Sequence, residues 1–283
     1  MNNKAQEISI NPKAIPSKPT QECTKTKQVE EIEQLAHFLL KYAIYLFGFG
    51  AYSARIIRCV VRIGNAYGYN VHISIFFRNI TLTLSTPNLN LASTYVLSSP
   101  PMPLNFGAIV KLSALSWKVH DEKTPFTELL QEFNQIIQLK KRNILQELCF
   151  VPLSNASLCK IFGGDIESFM IVLFSTTLTL IFREYFIRIK LDMRLLAIIS
   201  AFMVSFFASL FQQILSTETL DIAIAASVLF LIPGIHFINA TLDILDSHIL
   251  TGISRGIDAG IIIACIAAGM YLNLYLIRIL NVG

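Results

Sequence analysis

The sequence predicts an α-helical polytopic membrane protein, with about five transmembrane helices behind an N-terminal cytoplasmic α+β domain. Two observations carry that expectation. Of 283 residues, 53% are hydrophobic and only 15% charged, with mean hydropathy +0.56, whereas a soluble domain carries about 25% charged residues. The charge is also unevenly divided: residues 1–142 hold 16 Lys/Arg against 9 Asp/Glu, and residues 143–283 hold 7 against 10. A basic, soluble-looking half therefore precedes a hydrophobic, slightly acidic one.

Residues 1–27 are rich in Asn, Lys, Pro, Ser and Thr and lack an apolar run. They read as a disordered tail rather than a signal peptide. Residues 28–142 read as the α+β domain. Ile32, Leu35, Ala36, Leu39, Ala43 and Leu46 recur at helical spacing, with Glu30, Glu31 and Glu33 in the expected opening turn, where a helix dipole favours acids. The helix is expected to end at Gly48–Gly50. A second helix, from about 51 to 67, carries Arg55, Arg58 and Arg62 along one face. That row reads as a solvated face or as a contact with anionic lipid at the cytoplasmic leaflet, and no nucleic-acid motif accompanies it. Alternating Val71, Ile73, Ile75, Phe77 and Ile80, Leu82, Leu84 predict a strand hairpin. Helical patterns resume at 106–119 and at 126–148, the latter expected to run straight into the membrane.

Residues 143–283 read as a transmembrane domain of five helices. Stretches 195–215, 222–242 and 259–277 contain no Asp, Glu, Lys or Arg, and 166–182 contains only Glu167. Each approaches the roughly 20 apolar residues needed to cross a bilayer. A fifth stretch, 148–164, holds Pro152, Asn155 and Lys160 and suits either a span or an interfacial segment. Loop charge sets the orientation, since short cytoplasmic loops carry excess Lys and Arg. Lys140, Lys141 and Arg142 belong inside, as do Arg183, Arg188, Lys190 and Arg194, whereas the acidic turns at 163–167 and 216–221 face outward. Five spans, with the N-terminus cytoplasmic and the C-terminus outside, satisfy every loop.

Polar residues within spans are costly and mark functional positions. Pro233 lacks an amide proton and Gly234 is a weak helix former, so the fourth span is expected to break there. Beyond the break His236, Asn239 and Asp243, spaced by three and four, share one helical face. In the fifth span Arg255 and Asp258 stand three apart, a spacing suited to pairing, while Gly256, Gly260, Ala264 and Ala268 form an edge for close packing. Asp243 and Arg255 are the candidate substrate and gating pair, with Asn239 and His236 lining the path and Asp258 a possible proton or charge partner. Cys23, Cys59, Cys149, Cys159 and Cys265 show no metal-ligand spacing, so no metal or cofactor is expected. An intramembrane enzyme would need a nucleophile–base pair or metal ligands, yet neither HExxH nor GxSxG occurs. A membrane-anchored sensor or scaffold is the other alternative, but an anchor has no use for a broken, polar span.

The Pro-Gly-x5-Asn239-x3-Asp243 run followed by Gly252-x2-Arg255 resembles the signature of the threonine/serine exporter family. The run 46–68, with Gly50, Arg55 and Gly68, is similar to the opening of that family's cytoplasmic domain, and so is Phe162-Gly-Gly-Asp165 between the first two spans. Where members often carry an acid two residues after the counterpart of Arg55, this chain has Ile57. The resemblance covers roughly residues 30–280 and implies a secondary exporter. A chain ending at Gly283 looks like the split, YjjP-type subunit, which relies on a separate small membrane protein for the other half. The implied substrates are small carboxylates, succinate or threonine and serine, for which Arg255 and a helix N-terminus near Gly234 are suitable partners.

Overall fold

In the computed structural model, residues 19–76, 79–86, 92–100, 102–138 and 143–282 are described. The expected tail over residues 1–27 lies mostly outside that set. Helix α1 spans Pro19–Gly48. It begins with a proline, tolerated in a first turn because its missing N–H has no partner there anyway. Glu30, Glu31 and Glu33 therefore sit inside α1, not in its opening turn. From Ile32 onward Leu35, Ala36, Leu39, Ala43 and Leu46 are buried. Helix α2, Ser53–Ala66, follows a tight turn; it buries Ile56, Cys59, Val60 and Ile63 and turns its arginines outward.

Three antiparallel strands follow as a meander, β1 (Asn70–Ile75), β2 (Asn79–Ser85) and β3 (Ala92–Ser98). Val71 pairs with Leu84, and Leu82 with both Ile73 and Tyr95. The expected hairpin is present, within tighter bounds that leave Phe77 outside the described residues. β3 was not anticipated, because its sequence is rich in Ser and Thr and most of the strand is exposed. Ile80, Leu82 and Leu84 are fully buried and belong to one core with α1 and α2.

Helix α3, Phe106–Glu122, is capped by Asn105, whose Oδ1 accepts the Ala108 N–H at 3.0 Å. Helix α4 spans Phe126–Ile137. It does not continue into the membrane helices as its sequence pattern suggested: the next helix starts at Ile144, and residues 139–142 lie outside the described set. Aromatic rings of Phe38, Tyr42, Phe126 and Phe133 interlock α1 with α4. The Tyr42 hydroxyl donates to the Leu112 carbonyl at 2.5 Å, and burial pushes its phenol well above the ordinary value.

Six helices complete the chain: α5 (Ile144–Ile161), α6 (Ile166–Arg188), α7 (Met193–Gln212), α8 (Leu220–Val228), α9 (Gly234–Leu245) and α10 (Ile249–Val282). Among the described residues three helices are long and apolar enough to cross a membrane, namely α6, α7 and α10 over Ile249–Ile279. A fourth candidate is the bent pair Leu220–Leu231 and Gly234–Leu245, whose halves meet at 62°. The break falls where Pro233 stands, as its missing amide requires. Helix α5, carrying Pro152, Asn155 and Lys160, is not among the candidates and packs along α6.

Helix α10 starts ten residues before the uncharged run that announced it, so Gly252 and Arg255 are helical. Close packing also uses other glycines than expected. A Cβ on Gly252 would lie 2.7 Å from the Ala240 carbonyl oxygen, and one on Gly269 would lie 2.3 Å from the Ile198 carbonyl oxygen. These are the points where α10 meets α9 and α7; Gly256 and Gly260 have room to spare.

At the far end of the bundle, Asp165 accepts the Ser168 N–H at 2.7 Å and so caps α6. The Thr217 hydroxyl donates to the same carboxylate at 2.7–2.8 Å, tying the α5–α6 turn to the α7–α8 turn. That hydroxyl, and after it the Ser168 amide, holds the Asp165 carboxyl well below the usual carboxylate range.

Candidate functional site

Helices α9 and α10 form an antiparallel hairpin through Asp246, Ser247 and His248, which brings Asp243 opposite Arg255. Arg255 Nη1 lies 3.1 Å from Asp243 Oδ2. Asp243 is fully buried and Arg255 is 8% exposed. The contact is an ion pair without hydrogen-bond alignment, so Oδ2 has no hydrogen bond. The sequence spacing also allows an Arg255–Asp258 pair. That pair does not form, because the hairpin presents a buried carboxylate to the guanidinium first.

The remaining partners of this pair come from nearly two hundred residues away. Between α1 and α2 the chain turns through Gly50, whose φ is +99°. Glycine adopts that conformation freely, while a side chain there would strike Leu104. The turn exposes a row of backbone groups to the α9–α10 hairpin. Asn239 Nδ2 donates to the Gly50 carbonyl at 2.8 Å. Both terminal nitrogens of Arg255 donate to the Ala51 carbonyl, at 3.4 and 3.3 Å. The Ser53 N–H, in the first turn of α2, donates to Asp243 Oδ1 at 2.7 Å. Arg255 also stacks 4.5 Å from the ring centre of Phe47. One turn farther along, Thr251 Oγ1 donates to the Ile75 carbonyl at 2.6 Å, anchoring α10 to β1.

Beside this junction is a cavity of about 170 Å³. That is smaller than the roughly 300–1,000 Å³ of drug-sized pockets and suits a solute of a few heavy atoms. Phe47, Gly50 and Leu104 form one wall, and His236, Asn239, Arg255 and Asp258 form the other. Five of the seven candidate residues named from the sequence are thus gathered at one junction: Asp243, Arg255 and Asn239 in the bonded cluster, His236 and Asp258 in the cavity wall. Pro233 and Gly234 make the bend but do not line the cavity.

The Gly50–Ser53 backbone was missed as a partner, because a peptide carbonyl or N–H leaves no mark on residue type. The one signal available was Gly50 itself, in a run already matched to a family pattern.

The chain is similar to known proteins over most of its length. The family model described as "Putative threonine/serine exporter" matches residues 37–277. The chain belongs to the threonine/serine exporter family. Members of that family are membrane transporters, not enzymes. The "Probable succinate transporter subunit YjjP" of Klebsiella aerogenes is 28% identical over 257 residues, covering 89% of this chain and 98% of that protein. The protein of the same name from Escherichia coli K12 is 27% identical over 255 residues, covering 89% and 98%. No solved structure matches the chain at a significant level.

Proposed function

We propose that this chain is one subunit of a two-component secondary exporter that moves small carboxylates, succinate or threonine and serine, across the bacterial inner membrane. The buried Asp243–Arg255 pair beside a small cavity carries the reading. An arginine so placed binds a substrate carboxylate through paired N–H···O bonds, and a neighbouring acid competes for it until protonated. A proton on Asp243 releases Arg255 to the substrate. Asn239 and His236 line the route, and the Gly50–Ser53 turn acts as the cytoplasmic gate, since Asp243, Arg255 and Asn239 grip it directly.

The relatives are named as subunits of a probable succinate transporter, which supports both a carboxylate substrate and a second component. Only 17% of the apolar stretch of α10 is buried, against 39% for α6 and α7, leaving α10 surface for lipid or a partner helix. The topology proposed is five spans, including α5, with residues 28–142 in the cytoplasm and the C-terminus outside. Two contacts support it. The Asp165–Thr217 bond joins the turns after α5 and α7 at one end, while the Ser53–Asp243 bond joins the N-terminal elements to the other. Helix α5 then runs from the N-terminal elements to the opposite end.

The test is transport in proteoliposomes holding this chain alone or together with its small partner subunit. Uptake of labelled succinate, threonine or serine is expected only with both components. Robust transport by this chain alone overturns the two-component reading, and no transport of any of the three by the pair overturns the substrate class.

A further inference from the structure

A second cavity lies between α2 and α3. Its volume is about 380 Å³, and it is lined by Tyr52, Arg55, Arg58, Arg62, Ser113 and Trp117 among others. No acidic residue lines it, and among the described residues none of the three arginines is in an ion pair.

Uncharged groups hold the guanidiniums in place instead. Arg58 Nη2 donates to the Tyr52 hydroxyl at 2.6 Å, and its Nε donates to the Ala54 carbonyl at 3.2 Å. Arg62 Nη1 donates to Ser116 Oγ at 2.6 Å, and its guanidinium lies 3.5 Å above the Trp117 ring. Arg55 sits 5.5 Å from the centre of the Tyr52 ring. A solvated arginine face has no need of such fixing. Here three positive charges are oriented around one cleft and left unneutralised, and most of their N–H donors are unused.

We propose that this groove binds a ligand carrying two or more phosphate groups. Guanidinium forks match phosphate oxygens in bidentate fashion, and fixed forks lose little freedom on binding. Arg55 and Arg62 are seven residues apart, about 10 Å along the helix axis at 1.5 Å per residue. One phosphate does not reach both ends of such a row, so the matching ligand is multivalent. Two sources share that chemistry: a free polyphosphate, or phospholipid headgroups side by side at the membrane surface, which the Ser53–Asp243 bond brings close to the start of α2. The proposal stands independently of the transported substrate.

The full chain in phosphatidylcholine nanodiscs is titrated with inorganic pyrophosphate and compared with Arg58→Gln, the triple variant Arg55→Gln/Arg58→Gln/Arg62→Gln, and Lys41→Gln. Arg58 is exposed, so its replacement leaves the fold intact; Lys41 removes equal charge away from the groove. Saturable binding is expected, weakened about tenfold or more by Arg58→Gln, lost in the triple variant and unchanged in Lys41→Gln. In phosphatidylglycerol nanodiscs, weaker pyrophosphate binding assigns the groove to headgroups and unchanged binding assigns it to a free phosphate; each supports the site. Absence of saturable binding by the unaltered chain in phosphatidylcholine overturns the proposal. So do equal affinities for the unaltered chain and Arg58→Gln, or equal losses in Arg58→Gln and Lys41→Gln.

Discussion

If Asp243 and Arg255 handle a carboxylate and a proton, their charges matter for transport beyond their role in holding the gate turn. The double variant Asp243→Asn/Arg255→Gln separates the two. Removing either charge alone strands the other in a buried site: Asp243 is fully buried and Arg255 is 8% exposed at 3.1 Å. Breaking a buried pair in this way costs about 3–5 kcal/mol. The neutral pair avoids that cost and keeps the hydrogen-bond polarity, because an asparagine oxygen still accepts the Ser53 N–H and a glutamine still carries a donor for the Ala51 carbonyl. A double-mutant cycle should return a coupling of roughly 3 kcal/mol. Exchanging the two residues is a poorer test, since it sets donor against donor at Ser53 and acceptor against acceptor at Ala51. The assays are thermal unfolding in detergent and succinate export in proteoliposomes containing the partner subunit. Each single variant should unfold early, and the neutral double should recover most of the stability while export stays near background. Export by the neutral double at the unaltered rate refutes the reasoning, because the charges would then be a latch and nothing more.

Gly50→Ala forces a side chain into a left-handed turn, at about 1–2 kcal/mol, and sets its Cβ 2.4 Å from Leu104; a lower unfolding temperature and slower export are expected, and unchanged export removes the turn from the gate. Asp165 has a folded-state pKa held below its unfolded value of about 3.9, so its contribution is present above that pH and declines as pH falls toward the folded value. Asp165→Asn should therefore lower the unfolding temperature at pH 7 and differ somewhat less from the unaltered chain at pH 3, most of the gap closing only at still lower pH; a gap that widens on acidification assigns the loss to something other than the carboxylate. For topology, a C-terminal reporter active only in the cytoplasm should be silent, and activity there reverses the proposed orientation.

How much was legible in the sequence follows from what each signal depends on. Long uncharged runs and a proline–glycine pair disclosed α6, α7, α10 and the bend before α9, because the bilayer and the proline ring act on residue type directly. The strand β3 was lost because its alternation carries Ser and Thr on a mostly exposed strand, where burial writes little pattern. The acids Glu30, Glu31 and Glu33 mimicked a helix start, which Pro19 instead supplies. Spacing by three and four placed Asn239 and Asp243 on one face, as their contacts with Gly50 and Ser53 require. The same reasoning offered Asp258 as a second partner for Arg255 beside Asp243, since spacing sees neighbours along a helix and does not rank them against those across a hairpin. Why Arg255 is held as it is depends on Ala51, whose backbone carbonyl accepts from the guanidinium and leaves no mark on residue type.

Asp258 then acquires a different meaning. It is half-buried in the cavity wall and makes no hydrogen bond or ion pair among the described residues. Succinate presents two carboxylates and threonine or serine presents one carboxylate with an ammonium. Both classes offer Arg255 the same first contact, so the groups around it must separate them. Beside Arg255 an ionised Asp258 attracts an ammonium and repels a second carboxylate, by several kT at contact distances in a cavity of reduced dielectric. His236, in the same wall, offers a ring N–H toward the second carboxylate of a dicarboxylate. Asp258→Asn removes the repulsion at almost constant volume. If the chain exports threonine or serine, that change should raise KM for them about tenfold or more while leaving the Arg255 contact in place. If it exports succinate, the same change should leave succinate transport intact or lower its KM. Competition between labelled succinate and unlabelled threonine in proteoliposomes reads both outcomes at once, and equal loss of transport for both classes refutes a selective role for Asp258.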